Sequence, residues 1–237
     1  MKLPLFLQPR DTYERHWVAA RELRRAGVRS VLDVGGEGLL GRFLPGATCV
    51  SANTNPPTDV LYDGAVLPFP DGAFEAAVSL DTLEHVPPAD RQAFCGELLR
   101  VARRLVVLAA PYGSELHSRL ELQALEAYRQ ARGRDHEYLR QHVDNGLPTE
   151  QEVRDLLRGT TLRLAYSGDC AAEYERFVRN LKRESGRREG SSLAGTFVSI
   201  LRNAHLRRRY PLADVAAETT NRMYIFVALG NHAGMGK

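Results

Sequence analysis

The chain has 237 residues, of which 43% are hydrophobic and 26% charged, and it carries a formal net charge of +3. That balance is the composition of a globular chain with one substantial core, not of a disordered tail. No apolar run approaches the roughly 18–20 residues a membrane-spanning helix needs. A charge this small does not by itself argue for nucleic acid.

From the N-terminus, Met1 to Arg10 holds a short apolar patch containing Pro4 and no small-residue cleavage site, which argues against a secretory signal. Asp11 to Ala26 has helical periodicity, with Asp11 and Glu14 spaced as a capping box, Trp17, Ala20 and Leu23 inward, and Gly27 as the stop. Tyr13 and His16 on this helix read as packing or surface residues. Ser30 to Gly41 is the central stretch. Val31, Leu32 and Val34 make a buried strand with Asp33 near its end. Gly35, Gly36 and Gly38 turn the chain and bring backbone close to a ligand, and Leu39, Leu40, Phe43 and Leu44 follow at helical spacing.

Thr48 to Ala52 and Asp59 to Tyr62 read as short strands, separated by a loop through Pro56-Pro57. Asp63-Gly64 opens a turn-rich segment to Gly72, and Phe74 to Leu80 is a buried strand. Pro87-Pro88 starts a helix running to Arg103, with Phe94, Leu98 and Val101 inward, and Leu105 to Ala110 is another strand. Glu115 to Arg132 is helical, with Leu116, Leu120, Leu122 and Leu125 on one face. His136 to Gly146 is polar and reads as irregular. Thr149 to Arg158 is a short helix with Thr149 and Glu152 as a capping box, Thr161 to Ser167 is a strand, and Tyr224 to Leu229 is the last strand. Between these two strands lies a mainly helical insert, Cys170 to Asn221, and the tail from Gly230 to Lys237 frays. Alternating strands and helices predict an α/β, doubly wound, mostly parallel sheet in one domain over 1–237, with residues 170–221 as a cap. The three cysteines, Cys49, Cys95 and Cys170, have no zinc spacing and read as buried groups in a reducing, cytoplasmic setting.

These residues resemble the class I S-adenosylmethionine-dependent methyltransferases of the broad small-molecule branch. Val31 to Gly36 looks like that family's first motif, Asp63 to Glu75 like the segment entering its fourth strand, and Ser79 to Val86 like its strand-four end motif. The resemblance covers about Arg29 to Pro111 and implies a Rossmann-like seven-stranded sheet whose last strand is antiparallel. It implies S-adenosylmethionine as cofactor, with Asp33 near the methionine end, Gly35, Gly36 and Gly38 beside it, Asp63 and Gly64 at the adenine, and Asp81 bordering the reacting end. Two positions depart from the family pattern. Glu37 stands where a glycine is usual, and the ribose-gripping acid after strand two is missing, with Asn53 the nearest substitute.

His85, just past the fourth strand, is the candidate general base, because an imidazole titrates near neutrality. The competing reading of Glu84-His85 is a structural helix start. His136 and His142 lie six apart and do not form the His-Glu-x-x-His motif, so no metal ligand is assigned. The insert carries Arg176, Arg179, Lys182, Arg183, Arg187 and Arg188 before an apolar stretch, Leu193 to Leu201, and Arg207 to Arg209 after it. A solvated cap is one reading and a lid for an anionic or lipid-linked acceptor is the other. RNA is disfavoured because no aromatic residues interleave with the basic ones. The leading expectation is methyl transfer to a small-molecule or lipid- or sugar-linked acceptor, with oxygen favoured. A non-catalytic binding or scaffold protein of the same fold is the alternative, and a nicotinamide oxidoreductase is third. The oligomeric state is not legible in the sequence.

Overall fold

A computed structural model describes residues 3–184, 201–206 and 212–230. Seven strands form one sheet: β1 (Ser30–Val34), β2 (Thr48–Asn53), β3 (Val60–Leu61), β4 (Phe74–Leu80), β5 (Ala102–Pro111), β6 (Thr161–Ser167) and β7 (Arg222–Ala228). Their order is β3-β2-β1-β4-β5-β7-β6. β1 to β5 are parallel, while β7 is antiparallel to both β5 and β6. The expected sheet and its reversed last strand are therefore present.

The helices are α1 (Arg10–Arg25), α2 (Leu40–Phe43), α3 (Arg91–Val101), α4 (Glu115–Arg132), α5 (Glu137–Asn145), α6 (Glu150–Leu156) and α7 (Cys170–Glu184). Strand alternation sends Leu32, Val34 and Ala77 to a core shared with Phe94, Leu98 and Val101 of α3 and Val153 of α6. Val31, Ala76 and Val78 go to the other face, against Tyr13, Val18, Ala19 and Leu23 of α1 and Leu40 and Phe43 of α2. Asp33 shares the parity of Val31, so its carboxyl emerges on the α1 side, at the carboxyl end of the central strand. The reversal of strand order between β1 and β4 opens a crevice there, where open α/β sheets bind ligands.

Several local expectations are corrected. Pro9, not Asp11, is the N-cap of α1, with no side-chain cap bond. Asp11 falls inside the first turn and pairs with Arg15 at 2.9 Å, while Glu14 is buried and accepts from the Ser167 hydroxyl. α3 begins at Arg91 because Pro87 to Asp90 close a turn first, with Asp90 N donating to Pro87 O. On α4 the buried residues are His117, Ala124 and Leu125, whereas Leu122 is 45% exposed. Residues 117, 121, 124 and 125 follow the helical repeat, which leaves 122 facing outward. His136 to Gly146 is not irregular: His136 caps α5, accepting from Leu139 N, and Gly146 ends it at φ 72°. Of the insert, α7, a helical segment at 201–206 and a non-helical stretch at 212–221 are described. Arg187, Arg188, Leu193 to Ile200 and Arg207 to Arg209 lie outside the described residues. Asn203 donates from Nδ2 to the carbonyls of Phe6 and Gln8, and Leu206 is buried among the α1-side residues.

Thr149 caps α6 as expected, accepting from Glu152 N at 3.1 Å. That turn also holds Glu152 against the buried Arg91 at 2.7 Å, and Arg91 in turn donates to the carbonyls of Asn145 and Gly146. Thr149→Ala is expected to cost about 1 kcal/mol, the usual loss for a polar N-cap. Urea denaturation measures it, and an unchanged midpoint would show the cap to be dispensable.

Candidate active site

A cleft of about 1110 Å³ lies over the carboxyl ends of β1, β2 and β4. One end is built on the central glycine turn. Gly35 adopts φ 81°; its N–H donates to Ala52 O at 2.8 Å and its carbonyl accepts from Asn53 Nδ2 at 3.0 Å, which pins the turn to β2. Gly36 lies directly on the Asp33 carboxyl: a Cβ there would sit 2.1 Å from Asp33 Oδ2. No side chain fits, so only glycine lets the backbone cross this acid.

Asp33 is 1% exposed, and its Oδ2 is buried without a hydrogen-bond partner among the described residues. Burial pushes its carboxyl up to about 7 against the nearby positive charge of Arg15, and Asp59 adds to the rise. An unpartnered acid at a strand end is costly unless a donor arrives from outside the chain. Arg15 provides the complementary charge. It bridges Asp11 at 2.9 Å and Asp81 at 3.0 Å, and Arg222 meets the same Asp81 oxygen at 2.8 Å. Asp81 takes φ 52°, the left-handed turn that ends β4 and swings the chain across the cleft. Carboxylate and guanidinium groups thus alternate along this wall, the pattern that suits a zwitterionic amino-acid end.

The other end is a cluster of imidazoles and acids. Glu84 and His85 follow Asp81 in a single helical turn, Leu83–His85, while His117 and Glu121 come from α4 and His142 from α5. The His85 and His142 rings are 4.8 Å apart between centroids, and Tyr138 packs edge-on to His85 at 5.3 Å. His142 Nδ1 meets Glu121 Oε2 at 3.0 Å, and the other Glu121 oxygen lies 3.5 Å from His117 Nε2. Burial opposes ionisation of Glu121, but the hydrogen bonds and charges of His117 and His142 outweigh it and hold the carboxyl at about 2. Burial likewise lowers His142, yet Glu121 raises it overall. Burial, then the charge of Asp81, pushes the fully buried Glu84 up, whereas burial and the His142 charge bring His85 down.

Of the residues singled out in the sequence, Asp33, Gly35, Gly36, Asn53, Asp81 and His85 line this cleft. Gly38 is not part of its lining; it takes φ 75° behind the turn, near Ser51. Asp63 and Gly64 do not line it either. Asp63 is exposed and accepts from the backbone N–H of Ala65 and Val66, closing its own turn. Both ends of the Asn53 amide are engaged, Nδ2 by Gly35 O and Oδ1 by Thr54 N. Arg15, Glu121 and His142 escaped the sequence reading as site residues. The spacing of His117 and Glu121 by four on one helix was the one local signal, since the other contacts are tertiary.

Residues 46–109, from just before β2 through most of β5, match the family model described as a methyltransferase domain. A comparison of the sequence with curated proteins finds no match. Among solved structures, the chain is similar to a provisional sarcosine dimethylglycine methyltransferase from Galdieria sulphuraria, at 16% identity and TM-score 0.55 over 97% of this chain and 91% of that one. It is similar to an S-adenosylmethionine-dependent methyltransferase from Archaeoglobus fulgidus, at 15% identity and TM-score 0.51 over 90% and 94%. It is also similar to the YcgJ protein of Bacillus subtilis, at 13% identity and TM-score 0.52 over 92% and 99%. Identities this low speak to the fold. The match over residues 46–109 is to a methyltransferase domain, and the seven-stranded sheet with its antiparallel β7 gives the chain the fold of the S-adenosylmethionine-dependent methyltransferases it is similar to.

Proposed function

We propose that the chain transfers a methyl group to an oxygen of a small acceptor bound between Asp33 and the His85–His142 cluster. The observation that carries this reading is the continuity of the cleft, one space of about 1110 Å³ with two chemically different ends. Ligand pockets commonly run to about 300–1,000 Å³, so this one has room for a cofactor and an acceptor together.

The first end fits the cofactor: Asp33 offers an unpartnered oxygen to a cationic group, Gly36 lets backbone lie against it, and Arg15 supplies charge for a carboxylate. Bound there, S-adenosylmethionine supplies an electrophilic methyl on a sulfonium. Asn53 to Pro56 form the wall beside Gly35, where a ribose would rest without the family's usual acid. The remaining work falls to the second end. His85 keeps Nδ1 free of hydrogen bonds, and its lowered basicity leaves the ring neutral near pH 7, able to accept a hydroxyl proton. Tyr138, Gln141 and the Glu121-held His142 fix the acceptor's position, and positioning accounts for much of the rate of such a transfer. Whether the acceptor is lipid- or sugar-linked depends on the basic insert. There Arg176 is already engaged by Glu173 at 2.6 Å.

Calorimetric titration with S-adenosylmethionine, S-adenosylhomocysteine and NAD tests the reading. Micromolar binding of both sulfur ligands and none of NAD is expected. A folded protein that binds neither sulfur ligand would be a non-catalytic relative, and tight NAD binding would move the chain to nucleotide oxidoreduction.

A further inference from the structure

The acceptor end of the cleft holds more unpaired ligand atoms than proton abstraction needs. Glu84, His85 and His142 each present one potential ligand atom, and these atoms all lie within 4.8 Å of one another. Glu84 Oε2, His85 Nδ1 and His142 Nε2 are all buried without a hydrogen-bond partner among the described residues. Glu84 is itself 1% exposed, so its free oxygen is a desolvated acceptor with nothing among the described residues to satisfy it. Two of the three come from the turn after β4 and the third from α5, so the cluster is a tertiary arrangement and not an accident of one helix face.

The surroundings match those of a built ligand set. His142 directs Nδ1 at Glu121, the carboxylate–histidine pairing that fixes tautomer and ring orientation for a metal-binding imidazole. Glu121 is in turn braced by His117, whose Nδ1 lies 2.9 Å from Tyr112 O. Asn145, one turn beyond His142, donates to the carbonyls of Glu84 and His85 at 3.2 and 3.1 Å and ties both elements together. The fourth side is the cleft itself, where all three residues are lining.

We propose that Glu84, His85 and His142 form a two-histidine, one-carboxylate site for a divalent transition-metal ion, with its open positions facing the acceptor. Metal–donor bonds of about 2.0–2.2 Å place neighbouring ligand atoms nearer than 4.8 Å, so the three side chains close by less than a rotamer step on binding. Two imidazoles and one carboxylate with vacant positions select Mn²⁺, Fe²⁺, Co²⁺ or Zn²⁺ over the oxygen-preferring Mg²⁺. The role of the ion rests on the methyltransferase reading. An acceptor hydroxyl taking an open position has its O–H bond weakened, its proton leaves to water in the cleft, and the ion keeps its oxidation state. With the ion bound, its Lewis acidity takes over the activation of the hydroxyl, and His85 acts as the base only in the metal-free protein.

The test is metal binding, with no methyl transfer in the readout. The purified full chain is stripped with chelator and titrated with Mn²⁺, followed by the loss of the free-ion paramagnetic signal, and with Co²⁺, followed by visible absorption. One equivalent is expected to bind, with a Co²⁺ spectrum of nitrogen ligation. Glu84→Gln and His142→Asn should each weaken binding at least 100-fold, and Glu121→Gln about 10- to 100-fold as an outer partner. Glu137→Gln, an acid of the same cleft outside the cluster, should leave it unchanged. Circular dichroism checks each variant, and His85→Asn, at a less buried position, stands in for any that fails to fold. Equal affinity in the wild type and the folded ligand variants of Glu84 and His142 (or His85→Asn in place of either), or no binding by the folded wild type up to millimolar ion, would overturn the site. S-adenosylmethionine titration of the same stripped sample separates the two readings: cofactor binding without metal binding removes only the ion, and metal binding without cofactor binding removes only the methyltransferase role.

Discussion

Asp33→Asn is expected to make the protein more stable and less able to bind S-adenosylmethionine. The folded carboxyl sits at about 7 against an ordinary value of 3.8. In the ligand-free protein the unfolded chain therefore releases this proton first, and stability falls as pH rises from about 4 to about 7 and beyond the folded value continues to carry the full penalty. Asparagine is isosteric and never ionises, so at pH 8 the variant avoids a penalty on the order of a few kcal/mol. Binding runs the other way. A cationic ligand selects the ionised carboxyl, so wild-type affinity should rise by up to tenfold per pH unit up to about 7 and then flatten. A hydrogen bond to a charged group contributes about 1.5–3 kcal/mol, so the asparagine variant should bind roughly 10- to 150-fold more weakly at pH 8 and show no slope below 7. Thermal denaturation and calorimetry at pH 5.5, 7 and 8.5 give both quantities on one sample. Unchanged affinity in the folded variant would remove Asp33 from the cofactor end. A lowered melting temperature at pH 8.5 would show that its oxygen is satisfied within the chain.

The opposed signs at Asp33 also explain which parts of this molecule the sequence reveals. Strands are legible because their signal is local: Val31, Leu32 and Val34, or Phe74 to Leu80, are buried on both faces and spell that in consecutive residues. The glycine turn is legible for the same reason, since Gly36 exists to clear the carboxyl three residues before it. α5 is illegible by hydrophobic pattern because its inward stripe is polar. Tyr138, Gln141 and His142 face the cleft at helical spacing, with Asn145 reaching Glu84 and His85, where a core helix would present leucines. The periodicity is there, written in the polar and aromatic residues that line the cleft. A similar substitution hides Glu84, whose place beside His85 looks like a helix start until α5 brings His142 against the pair. Asp63 shows the opposite case. Its motif position suggests a ligand contact, while the structure places it outside the cleft lining with its Oδ1 accepting from two backbone amides of its own loop.

Asp81→Ala should be the most destabilising single change in the cleft wall. One carboxylate here holds two guanidinium groups, Arg15 at 3.0 Å and Arg222 at 2.8 Å, and the Arg222 side chain is only 7% exposed. Burial works against the Arg222 charge, and Asp81 more than restores it, keeping the guanidinium fully ionised. Alanine leaves two cations facing each other with no shared anion, and Arg222 is too buried for water to replace the lost carboxylate fully. Removing one partner of a buried pair costs about 3–5 kcal/mol. The left-handed φ of 52° at this position adds roughly 1 kcal/mol more for alanine, a term aspartate and asparagine largely escape. Together these should lower the melting temperature by about 10 °C or more for a chain of this size. Asp81→Asn keeps the turn and an acceptor oxygen and should fall between wild type and alanine, which isolates the charge. The double variant Asp81→Ala/Arg222→Met should recover part of the loss, because an apolar side chain at β7 no longer needs a counter-ion. A double-mutant cycle in urea measures the coupling. A coupling near zero would mean that Arg15 and Arg222 find their balance elsewhere, and that Asp81 is held at the end of β4 for its backbone turn alone.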